Sequence, residues 1–152
     1  MKARDIVVQI PTVTLKDPVA KAVRVMTQEQ LPGLIVVDEN SKPRIVIPGT
    51  QVLRMAVLHS YQDDPALART IDEAHADRFW QDLGNRTVGE CLPGYPAKPV
   101  TASLDATLLE LATLMGRLHS PLVAIVDHTH ALVGAVTLNR LLINLALPDL
   151  DN

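Results

Sequence analysis

Aromatic side chains are nearly missing from this chain, which has one Phe, one Trp and two Tyr among 152 residues. Its core must therefore be filled by Val, Leu, Ile, Ala and Met, and the stacking platforms that hold single-stranded nucleic acid are excluded. Neither sign of charge dominates: 14 Lys and Arg stand against 17 Asp and Glu, a net charge of −3. A nucleic-acid partner would call for a concentrated basic surface, so none is expected. Cys91 is the single cysteine and cannot form an internal disulfide, which points to a reducing compartment. No apolar run reaches the roughly 18 residues of a membrane span. Met1-Lys2-Ala3-Arg4-Asp5 does not open the apolar stretch of a signal peptide either. A cytoplasmic protein without direct membrane insertion is the expectation. Phosphate loops of the GxGxxG and GxxxxGK[ST] kinds are also missing, as is a GxSxG nucleophile elbow. What is present is 47% apolar residues, enough at this length for a folded core.

Those residues are arranged as one unit written twice. A shift of 89 residues sets Thr12 on Thr101, Leu15 on Leu104, Met26 on Met115, Pro32 on Pro121, Val37-Asp38 on Val126-Asp127 and Leu53 on Leu142. Each copy opens with an extended segment ending at Val13-Thr14-Leu15 or Ala102-Ser103-Leu104. Val19, Ala22, Val23 and Met26 then recur at helical spacing, as do Leu108, Leu111, Ala112 and Met115. Pro32 and Pro121 are expected to stop these helices. Two apolar strands follow around a polar turn, Leu34–Val37 then Ile45–Ile47 in the first copy, Val123–Val126 then Val133–Val136 in the second. A last helix is expected to start near Thr50 or Asn139, both suited to capping. The order strand, helix, strand, strand, helix thus occurs twice. One copy alone would leave an apolar sheet face open, so the two are expected to pack together.

Residues 59–86 belong to neither copy, and 65–83 read as an acidic helix with Pro65 at its first turn. Within it Asp72-Glu73-Ala74-His75 spells a helicase-like box, which does nothing without a phosphate loop. Glu73 and Asp77 share a helix face that His75 cannot join, so they make no metal site. His128 and His130 flank a turn and lack a third ligand for zinc. Cys91 has no partner at a nucleophile spacing, and Met26 and Met115 are core fillers.

Two strand-helix-strand-strand-helix copies, each with Pro before an apolar strand ending in Asp, resemble a tandem pair of CBS domains. The stretches carrying the resemblance are Ser120-Pro121-Leu122-Val123-Ala124-Ile125-Val126-Asp127 and Leu132-Val133-Gly134-Ala135-Val136-Thr137. It implies an α+β sandwich of two βαββα repeats related by a pseudo-twofold axis, with a first repeat over 5–58, a helical connector over 59–86 and a second repeat over 87–149. It further implies a non-enzymatic, homodimeric regulator that binds AMP, ADP, ATP or S-adenosylmethionine between its repeats. Such a module would act on a separate effector protein, with a membrane transporter as one class. The alternative is a structural dimerisation module with empty clefts. In the family a first-strand hydroxyl meets the ligand, a place held here by Thr14 and Ser103. The second strand holds the base, at Leu34 and Ile35 or Leu122 and Ala124. A Thr/Ser-x-x-Asp run opening the last helix holds the ribose. Here Thr137-Leu138-Asn139-Arg140 and Pro48-Gly49-Thr50-Gln51 occupy that place. Arg140 therefore stands where a carboxylate would, and a guanidinium can only donate; a phosphate would suit it better. His119, just before Ser120-Pro121, completes the candidate ligand set.

Overall fold

The computed structural model of the chain describes residues 1–56, 66, 69, 85–92 and 99–145. The connector helix expected over 65–83, with its Asp72–His75 box, lies outside the described residues except for Ala66 and Arg69, which are helical. Element order runs α1 (Ala3–Ile6), α2 (Val19–Gln28), β1 (Gly33–Val37), β2 (Pro43–Pro48) and α3 (Gly49–Ala56). A 3-10 turn (Gly89–Cys91) then precedes β3 (Thr101–Ser103), α4 (Leu108–Leu118), β4 (Leu122–Val126), β5 (Leu132–Thr137) and α5 (Leu138–Asn144). β1 and β2 are antiparallel, and β4 lies between parallel β3 and antiparallel β5.

The repeat holds at the level of single hydrogen bonds. Gly33 pairs with Pro48 as Leu122 pairs with Thr137, and both hairpins slip register after Val36 or Ile125. Asp38 accepts the amides of Asn40 and Lys42, as Asp127 accepts those of Thr129 and Ala131. Left-handed backbone recurs at the same shift: Gln30 and His119 have φ of 52° and 51°, Ser41 and His130 of 59° and 65°.

Several expectations are corrected in detail. The first repeat's opening strand is one parallel bridge, Val13 to Val36; in the second repeat, a bond from the Ala124 amide to the Val100 carbonyl lengthens it to three residues. Pro32 and Pro121 do not end the helices. A left-handed residue ends them, closing a loop in which the Leu31 amide reaches the Met26 carbonyl and the Ser120 amide that of Met115. Asn139 is not the cap of α5: Thr137 is, its hydroxyl accepting the Arg140 amide at 3.2 Å. At the matching place the first repeat has Pro48, which has no hydroxyl to offer, and α3 starts at Gly49 rather than Thr50.

Strand β1 is buried on both faces, which explains its unbroken apolar run. Leu34 and Val36 face a core with Ala22, Val52 and Met55, while Ile35 and Val37 face a second core with Leu111, Val123 and Ile125. Alternation of side chains along a strand thus divides one segment between two cores. Each core also takes in chain that leads into the other repeat. Ala3 and Ile6 enter the second repeat's core, and Val88 and Leu92 enter the first's. The exchange is symmetric. Ala3 and Arg4 amides bond to Ala106 and Leu104 carbonyls, and Val88 and Gly89 amides to those of Asp17 and Leu15. Burying a side chain such as Ile6 contributes about 1.5–3 kcal/mol, so these lead-ins are held by packing as well as by backbone bonds.

Candidate functional site

Near the pseudo-twofold axis a repeat cannot place two large side chains against each other. An ideal Cβ on Gly33 would lie 2.9 Å from Leu122 Cδ2 and 2.6 Å from the Ile47 carbonyl oxygen. Leu122, the partner of Gly33 under the 89-residue shift, is fully buried and fills that space. Beside this contact lies a cavity of about 630 Å³ built from both repeats. Pro32, Pro48, Gly49 and Thr50 form one wall, and helices α4 and α5 form the other through Met115, Gly116, Leu138, Leu141 and Leu142. Pro121 and His119 line the cavity as well. The chain turns that shape it are fixed by matching bonds, Gly49 amide to Pro32 carbonyl at 2.9 Å and Leu138 amide to Pro121 carbonyl at 2.8 Å. Its size lies within the 300–1,000 Å³ or so typical of small-molecule sites.

The wall is largely aliphatic, and no Lys, Arg, Asp or Glu is among its described residues. Polar function comes from the Thr50 hydroxyl, the His119 imidazole and backbone groups. Ser120 is buried here, but its hydroxyl donates to the Leu122 carbonyl at 2.7 Å. A planar apolar ring with a few hydrogen-bonding edges would fit such a lining, and a cluster of phosphates would meet no countercharge in it.

The structure brings Thr50, His119 and the neighbourhood of Leu122 together and places the other candidate residues elsewhere. Leu34, Ile35, Leu122 and Ala124 are fully buried, so their side chains serve the cores. Thr14 lines a separate opening of about 390 Å³ with Lys16, Asp38, Asn40 and Arg44, and its amide donates to the Asp17 carboxylate at 2.8 Å. The Ser103 hydroxyl accepts the Asp105 amide. Thr137 is engaged as the α5 cap, Asn139 is exposed and Gln51 is half-buried. Arg140 lines none of these openings; its Nε donates to the Ile6 carbonyl at 2.8 Å. Sequence reasoning missed the aliphatic wall from α4 and α5, although Leu138, Leu141, Leu142 and Leu145 were legible as one helix face. Among the described residues no three His, Cys, Asp or Glu side chains are placed to hold a metal ion. No described helix is long and apolar enough to cross a membrane.

The model of the CBS domain family matches residues 3–46 and 94–147, more than half of the chain. No curated protein matches. Among solved structures, a CBS domain-containing protein of unknown function from Kribbella flavida is 43% identical, with a TM-score of 0.78 over 94% of this chain and 97% of its own. CBSX2, an Arabidopsis thaliana CBS-pair protein, was solved with AMP and is similar in fold. It is 15% identical, with a TM-score of 0.66 over 93% of each chain. A third, the CBS domain pair of a protein solved with 5′-methylthioadenosine and S-adenosyl-L-methionine, is 19% identical, with a TM-score of 0.64 over 94% of each chain. The matched segments fall on the two halves of the repeat; the first ends within β2, ahead of α3, and the second includes its strand pair and final helix. The chain belongs to the CBS domain family.

Proposed function

We propose that this chain is a non-enzymatic sensor that takes an adenosine-type ligand in the cavity between its repeats and passes the bound state to a separate effector protein. The observation that supports this most is the cavity itself, about 630 Å³ in volume and shared by both repeats. The complexes of similar folds with AMP and with S-adenosyl-L-methionine point the same way. A ligand touching α3 on one side and α4 and α5 on the other stabilises whichever arrangement of repeats it fits better. Its effect is then a population shift limited by the difference in affinity between two arrangements. Melting the protein with millimolar AMP, ADP, ATP or S-adenosylmethionine tests the reading. A ligand at about 100 times its Kd adds about 2.7 kcal/mol, which raises the midpoint by several degrees. A midpoint that none of the four moves refutes it.

A second reading rests on a different observation. Leu53, Leu109, Leu142 and Ile143, all on helices, are 60%, 76%, 48% and 73% exposed. An apolar helical surface of this kind suits a second copy of the chain, in which case dimerisation is the whole function. Light scattering that shows a dimer, together with a melting midpoint indifferent to nucleotide, would favour this reading over the sensor.

A further inference from the structure

The N-terminal segment, residues 2–8, which leads into the first repeat, lies across the second. Its start is fixed by the Ala3 and Arg4 amides, which bond to the Ala106 and Leu104 carbonyls. Arg4 and Lys2 there face the Asp105 carboxylate. Its end pairs with β5 in both directions, Val8 amide to Ala135 carbonyl at 3.0 Å and the reverse at 2.8 Å. Gly134 makes this approach possible, since a Cβ there would lie 2.4 Å from the Val8 carbonyl oxygen. Between those two ends, one side chain of the second repeat bonds to the segment: Arg140, through Nε to the Ile6 carbonyl.

Arg140 is engaged in three ways. Its amide donates to the Thr137 hydroxyl, its carbonyl accepts Asn144 Nδ2 at 2.8 Å, and its guanidinium holds Ile6. The residue thereby joins the first turn of α5 to the N-terminal segment. We propose that Arg140 is a latch, which keeps the segment on the second repeat by holding the Ile6 carbonyl with its guanidinium. A cationic donor on a neutral carbonyl is stronger than an ordinary amide bond, and the bond is directional, so charge alone does not replace it. This holds whether or not the inter-repeat cavity takes a nucleoside. All the segment's bonds named above go to the second repeat, and its buried side chains Ala3 and Ile6 lie in the core shared with Ile35 and Val37; helix α2, whose Ala22 lies in the other core, is clear of it.

Hydrogen–deuterium exchange of the full chain, followed by mass spectrometry, tests the latch. In Arg140→Ala, exchange in peptides covering 3–9 is expected to rise about tenfold, as loss of one charge-assisted bond would give, while peptides covering 19–28, which pack in the other core, stay at the wild-type rate. No change in 3–9 overturns the proposal. A rise in both regions assigns Arg140 to general stability and also overturns it. Gly134→Ala, which pushes Val8 away from the other side, shows that the 3–9 peptides report detachment. If Arg140→Ala does not fold, Arg140→Lys, which keeps the charge and loses the Nε–H, is read in the same way.

Discussion

Gly134→Ala is the sharpest test of how the N-terminal segment is held. The added Cβ would stand 2.4 Å from the Val8 carbonyl oxygen, 2.9 Å from Val7 Cγ2 and 3.0 Å from the Val8 carbonyl carbon. Two of these three atoms are backbone, so no rotamer change relieves the overlap, and the segment must shift away from β5. That shift lengthens or breaks the paired bonds between Val8 and Ala135, each contributing about 1 kcal/mol net. Strain from the remaining overlap adds about 1–2 kcal/mol. A loss of about 2–4 kcal/mol is expected in urea unfolding, with the melting midpoint falling by about 2–4 °C for each kcal/mol. The denaturant slope should fall too, because a segment already detached exposes less new surface on unfolding. Gly116→Ala supplies the contrast. Gly116 lies inside α4 with nothing within 4 Å of an added Cβ, so the same chemical change should stabilise by about 0.5–1 kcal/mol. A loss under about 0.5 kcal/mol for Gly134→Ala would refute the close approach from which the effect is argued.

Leu122→Ala empties the space opposite Gly33 and should cost about 2–5 kcal/mol in denaturant unfolding; Gly33→Ala should not be rescued in that background, because the Ile47 carbonyl still blocks the new Cβ. Gln30→Gly and His119→Gly each relieve an L-residue held at positive φ and should each raise stability by about 1 kcal/mol, seen as a higher melting midpoint. Acid should weaken the two hairpin turns. The Lys42 amide holds the Asp38 carboxyl below its usual value of 3.8, and the Thr129 hydroxyl does the same for Asp127. A depressed folded pKa gives stability that is full above the unfolded value and is lost as pH falls through the folded one. Melting midpoints should therefore hold down to about pH 4 and drop below it, and the drop should shrink in the Asp38→Asn, Asp127→Asn double variant.

The repeat was legible because period and spacing write themselves into a sequence. The 89-residue shift, the helical spacing from Val19 to Met26 and the apolar strand runs each follow from local geometry. Asp38 and Asp127 carry their turns wherever the rest of the chain lies. Less could be read where a backbone conformation rather than a residue type decides. Gln30 and His119 end their helices in left-handed geometry with side chains that do not announce it, so the prolines two residues on took the credit. Among the candidate ligand residues, Thr50 and His119 came together in the cavity, while Arg140 turned to Ile6, 134 positions away in the chain. No local pattern encodes a bond across that distance.

The sequence by itself therefore determined the unit: its two copies, their strands and helices, and which faces are apolar. Only the tertiary structure decided how the copies share their cores. Residues 3–6 serve the second repeat and residues 88–92 the first because their amides bond to the turn that follows the other repeat's opening strand, at Leu104 and Ala106 or at Leu15 and Asp17, and their side chains enter the core beneath it. It also decided that Gly33 yields to Leu122 near the axis, since two equal side chains cannot occupy one space, and that a cavity opens beside them. Periodicity fixes which way a side chain faces. What it meets there depends on packing between segments far apart in the chain.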